Sequence, residues 1–160
     1  MGVTITKDRV AEIMRAFSDL TKKDVLVGVP DSSPERESGE PISNAAIGYI
    51  LETGSPVNNL EPRPHLVPGV ASVQSQVADR FGRCATSALD GNQAGADKQL
   101  VGAGLIAQDA VKEMINSNIQ PALSAATLAA RRRRGVTREN TLVDTGQYRN
   151  SITYVIRSKK

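Results

Sequence analysis

The sequence predicts an α+β fold: several helices packed on a small mixed or antiparallel sheet. Three observations lead there. Apolar residues recur at helical spacing in five segments. Two short β-branched runs, "DVLVGVP" at 24–30 and "SITYVIR" at 151–157, stand near opposite ends of the chain and read as strands. The 160 residues are 39% hydrophobic but only 3% aromatic, which suits one domain, 1–160, with a modest core of Val, Leu, Ile and Ala.

Each element has a local reason. Val10, Ile13, Met14, Phe17 and Leu20 make an amphipathic helix of 7–20. The strand near 25–29 stops at Pro30. Residues 31–41, ending in "ERESGEP", carry five charges and no large apolar residue, and are expected to be a mobile loop. "SNAAIGYILETG" (43–54) is a helix capped by Ser43 and ended by Gly54. Four prolines in 55–69 argue against helix or strand interiors, so this stretch is expected to be a stiff, extended arm. Pro68 can open the next helix, whose stripe of Val70, Val73, Val77, Phe81 and Ala85 runs to about Leu89 before Gly91. A long helix of about 95–117 follows, with Leu100, Ala103, Ala107, Val111 and Met114 on one face. "LSAATLAARRRRG" (123–135) is a further helix, capped by Ser124 and stopped by Gly135. Ile152, Tyr154 and Ile156 alternate in the last strand, so one face of it is buried.

Charge is unevenly distributed. Residues 1–90 hold 9 Lys/Arg and 12 Asp/Glu, a balance of −3; residues 91–160 hold 11 and 5, a balance of +6. Much of the excess is Arg131, Arg132, Arg133 and Arg134, followed by Arg138. Such an asymmetry suits head-to-tail stacking, an anionic partner, or a solvated helix end. Cys84 is alone, so no internal disulfide or zinc-type cluster is expected, and its simplest reading is a small buried apolar residue. The first residues lack the apolar core of a signal peptide, and no apolar run is long enough to span a bilayer. A reducing, soluble compartment is expected.

The stretch "LVDTGQYRNSITYVI" (142–156) contains Asp144-Thr145-Gly146, the tripeptide around the catalytic carboxylate of aspartic proteases. That chemistry needs two carboxylates sharing a proton. Only 14 residues follow Gly146, too few for a flap and the strands of a cleft, and Gln147 stands where that family has a small residue. The structural reading asks less: Asp144 caps a short turn at 145–149 and Gly146 supplies permissive backbone geometry.

"LVDTGQYRNSITYVI", preceded by "LAARRRRG", resembles the C-terminal signature of tailed-bacteriophage neck and tail-completion (head–tail joining) proteins, to which minor tail protein Z of phage lambda is related. The resemblance extends over "VLVGVP" (25–30), "NAAIGYILETGSP" (44–56), "PRPHLVPG" (62–69) and "EMINSNIQPALSAATLAA" (113–130), in that order. Two positions depart from the pattern: His65 replaces a usual Phe and Tyr148 a usual Leu.

The resemblance implies a structural virion protein at the head–tail junction, made in the bacterial host cytoplasm. It would act as a ring subunit, without active site, cofactor or metal, that joins or completes the tail and lets DNA pass. Its partners would be further copies of itself, a hexamer being the expected ring, and adjacent neck, tail-terminator or tail-tube proteins. Contact with the translocating DNA would be non-specific, and no membrane is involved. The expected ring interface is Leu60, Arg63, His65 and Leu66 on the Pro-rich arm. Arg131–Arg134 and Arg138 face solvent, an acidic neighbour or DNA. The alternative function is a nucleic-acid-binding module using that cluster, although interleaved aromatics and a helix-turn-helix are missing from the sequence.

Overall fold

A computed structural model describes residues 9–30 and 42–159. In chain order these form α1 (Val10–Thr21), β1 (Lys23–Gly28), α2 (Asn44–Thr53), a 3-10 turn (Pro56–Asn58), α3 (Leu66–Ser72), α4 (Gln74–Leu89), α5 (Gln93–Asn116), α6 (Ala125–Arg133), α7 (Gln147–Ser151) and β2 (Thr153–Ser158). The architecture is α+β, with the helices packed on a two-stranded antiparallel sheet. The expected loop at 31–41 lies outside the described residues.

The sheet pairs the two β-branched runs, with Val25 opposite Ile156, Leu26 opposite Val155 and Val27 opposite Tyr154. Side chains alternate between faces. Val25, Val27 and Ile156 therefore turn toward the helices, while Leu26 and Val155 turn outward. The ring of Tyr154 lies directly on Gly104 of α5, where any β-carbon would collide with it. A second close approach joins α3 to α5: a β-carbon on Gly69 would stand 2.8 Å from the Cα of Val111.

Two apolar clusters hold these layers together. One unites Val111, Ile115, Leu142, Val143, Tyr148 and Ile152, with Val27, Ile47, Leu51 and Leu66 packed around it. The other unites Cys84, Ala88, Ala96 and Leu100, with Ala16, Leu20, Val25 and Ile156. Fully burying an Ile or Val side chain contributes about 1.5–3 kcal/mol, so Ile115, Ile152 and Val111 are the main anchors. Cys84 is one of these buried residues, and desolvation pushes its thiol above the ordinary range. α1 packs through Ala16 and Leu20, whereas Val10, Ile13, Met14 and Phe17 remain largely exposed.

Local capping follows the sequence closely. Ser43 Oγ accepts from the Ala46 N–H at 3.2 Å, and Gly54 ends α2 at φ +77°. Ser124 Oγ accepts from Thr127 N–H at 3.2 Å to start α6. Asn92 starts α5 by accepting from Gly95 N–H at 2.9 Å.

The Pro-rich stretch departs from expectation: residues 55–69 are not an extended arm. Ser55 and Leu60 form an isolated bridge around the 3-10 turn, and the Arg63 N–H donates to the Leu51 carbonyl at 2.7 Å. α3 then begins at Leu66, so Pro68 is its third residue, and the helix ends at Ser72 with a break at Val73 before α4. Proline is harmless in a first turn because the N–H it lacks has no intrahelical acceptor there.

Candidate interaction site

The basic cluster closes α6, where arginines oppose the helix dipole. Its members have different environments. Arg131 is buried, and its guanidinium donates to the carbonyls of Asn140 (2.7 Å), Arg138 (3.1 Å), Val143 (3.2 Å) and Thr141 (3.5 Å). It pins the 138–143 connection to α6, so the expectation that it contacts a partner is corrected. Arg132 pairs with Glu139 at 2.9 Å, and Arg134 with Asp144 at 2.9 Å. Arg133 reaches back to the Ala129 carbonyl, and Arg138 donates to the carbonyls of Asp144 and Thr145. The Arg132 and Arg134 side chains are 67% and 57% exposed, so their pairs leave them accessible. Five arginines against the two carboxylates Glu139 and Asp144 leave three positive charges at this end.

Asp144 does not cap the turn after it. Its Oδ2 receives Arg134 and its Oδ1 lies 3.7 Å from Arg131 Nε, which takes the carboxylate away from the backbone. The start of α7 is served by Thr145, whose Oγ1 accepts from Gln147 N–H at 3.3 Å. Gly146 does have the expected permissive geometry, at φ +89°. Asp144 also borders a cavity of about 280 Å³ with Asn44, Leu51, Arg131, Arg134 and Tyr148, and is the one carboxylate among its lining residues. Two guanidinium groups stand beside its carboxylate, and among the described residues no second carboxylate lines the cavity.

The expected ring interface is corrected at two of its four residues, Arg63 and His65. Arg63 is buried and donates through Nε and Nη2 to the Pro121 carbonyl at 3.0 and 2.9 Å. His65 is wholly buried, with Nδ1 2.9 Å from the Arg63 carbonyl and Nε2 hydrogen-bonded to the Tyr148 hydroxyl. Leu66 packs on the main apolar cluster, and Leu60 is half-buried at the bridge. Arg63 and His65 serve the chain's own body, while Leu60 and Leu66 keep part of their surface accessible.

Glu52 organises this region and carried no sequence signal. Its carboxylate accepts from the N–H groups of His65 (2.7 Å), Leu66 (2.9 Å) and Val67 (3.0 Å). Since Pro68 has no N–H, every free donor in the first turn of α3 is accounted for. Desolvation raises the Glu52 carboxyl, but the three N–H donors and the nearby His65 ring outweigh it and hold the group below its usual value. Burial, aided by the Glu52 charge, pushes the Tyr148 hydroxyl up, so it keeps its proton beside His65 Nε2. The same hydroxyl lies against Gly48, where a β-carbon would come within 2.8 Å of it.

The segments 25–30, 44–56, 62–69, 113–130 and 142–156 converge here. β1 pairs with β2, α2 supplies Glu52 and Gly48 to α3 and Tyr148, and Arg63 reaches Pro121. Asn118 and Ile119 in turn hold Thr141. The two departures from the phage pattern, His65 and Tyr148, are partners of each other. Compared with protein-family models, curated proteins and solved structures, the chain matches none. Among the described residues no three His, Cys, Asp or Glu side chains gather as a metal site, and no helix is long and apolar enough to cross a membrane.

Proposed function

We propose that this chain is a structural subunit of the tailed-phage head–tail junction, a neck or tail-completion protein that works as a ring and lets DNA pass. The observation that carries the reading is the spatial union of the five ordered blocks. Segments from 25 to 157 that resemble that family make one contiguous core, and the two departures compensate each other across it as a hydrogen-bonded pair. The exposed surplus of arginines at one end supports contact with an acidic surface of the adjoining ring. Arg132, Arg133, Arg134 and Arg138 are the contact residues; Arg131 holds their platform.

Charge reversal tests this. Arg132→Glu with Arg133→Glu should leave the isolated subunit folded, at a cost of around 1 kcal/mol through the helix dipole, and should block joining of heads to tails. Normal titres of intact phage would remove the contact. A nucleic-acid-binding module would instead bind duplex DNA with an affinity that falls steeply with salt and is lost in the same double variant. Little binding at physiological salt is expected.

A further inference from the structure

With Arg63 and His65 turned inward, the sheet is another surface through which a ring subunit can meet its neighbour. This inference rests on the ring reading above. β1 and β2 pair with each other alone among the described residues, so each keeps an outer edge that no other described strand takes up. A two-stranded ribbon is marginal in isolation, and an unpaired edge invites another strand. Proteins that avoid such pairing use very short edge strands, charged side chains, bulges or prolines. The charges Lys23, Asp24 and Arg157 gather at one end and leave the centre apolar. Here the register runs without a skipped residue from Lys23–Ser158 to Gly28–Thr153, and neither strand contains proline. The outward face is apolar at its centre, where Leu26 and Val155 are each 42% exposed beside a groove of about 300 Å³ that also involves Val29 and Pro30. At one end of that face Asp24 draws Lys159 to 3.1 Å and Arg157 to 3.7 Å.

We propose that the outer edge of β1 in one copy pairs antiparallel with the outer edge of β2 in the next copy, joining the small sheets into one continuous belt around the ring. The occupant is a second copy because β1 and β2 already have complementary sequences. In the register used within the subunit, Asp24 would face Arg157 of the next copy and Leu26 would face Val155 of the next copy. Opposite charges and paired apolar side chains would then repeat at every junction. Pairing unlike edges makes a heterologous contact, which propagates from copy to copy instead of stopping at a dimer and closes into a ring when the rotation between copies permits.

Full-length Asp24→Cys and Arg157→Cys chains, made separately, test the pairing. Directly opposed residues in an antiparallel sheet have Cα atoms about 4.5–5.5 Å apart, within disulfide reach. Because each chain carries one new thiol and Cys84 is buried, a disulfide between them reports contact between copies. On mild oxidation of concentrated protein and of assembled particles, the mixture should give a disulfide-linked dimer that neither variant gives alone. Leu26→Lys in the Asp24→Cys chain should abolish it while the thermal transition stays close to that of the parent. Copies that associate without this cross-link, or cross-link in a single-variant sample, would overturn the edge pairing and leave the ring reading intact. So would capture of Asp24→Cys by a different virion protein. Copies that never associate, in solution or in particles, would overturn both.

Discussion

Tyr148 and His65, 83 residues apart in sequence, meet inside the cluster formed by α2, α3 and α7. Replacing either alone leaves a buried polar group unpaired, a loss of about 1–3 kcal/mol. His65→Phe and Tyr148→Phe should each destabilise by about that amount in denaturant unfolding, and the double variant by clearly less than their sum. Additivity within about 0.5 kcal/mol would mean that the two are not coupled. Glu52 gives a second test, through pH. Its folded value is lowered, so the stability it contributes is present above the unfolded value of 4.5 and is lost as pH falls through the folded one. Unfolding free energy should therefore decline below about pH 4.5, and Glu52→Gln should flatten that decline while lowering stability at neutral pH. An unchanged acid slope in the variant would remove Glu52 as its source. None of these partnerships was legible in the sequence. His65 between two apolar or proline neighbours reads as packed or surface, and nothing local ties it to Tyr148 or ties Arg131 to the carbonyls of 138–143.

Elements were legible to the extent that their causes are local. Helical periodicity, Ser43 and Ser124 at helix starts, Gly54 and Gly135 past helix ends, and β-branched alternation in both strands involve neighbours a few residues away. They yielded the α+β class and most boundaries. The stretch 55–69 misled because proline content excludes helix interiors but not first turns, and because its anchors, Leu51, Glu52 and Pro121, belong to other segments. An extended arm would be cut early by protease, whereas this packed stretch should not be. In the free monomer, cleavage between 55 and 67 should be slow, since the Ser55–Leu60 bridge and the Arg63 bonds tie the chain to its own body. A first cut within that stretch, mapped by mass spectrometry at low protease, would contradict the packing described for Arg63 and His65.

At the scale of the molecule, one end carries the arginine surplus of α6, and the sheet has outer edges that no other described strand pairs and an apolar outer face. A ring subunit needs two kinds of contact, one to its own copies and one to the ring above or below. On the proposed reading the sheet edges supply the first and Arg132, Arg133, Arg134 and Arg138 the second. Sequence reading found the arginine cluster at the end of α6 but included the buried Arg131. It assigned the contact between copies to Leu60, Arg63, His65 and Leu66, of which Arg63 and His65 are buried, because strand edges become visible only after pairing is known. The central claim, that this chain joins head to tail, is tested most directly by electron microscopy of phage particles made without it. The expected result is DNA-filled heads and separate tails, with joining restored when the protein is added back. Fully joined, stable and infectious particles in its absence would contradict the claim.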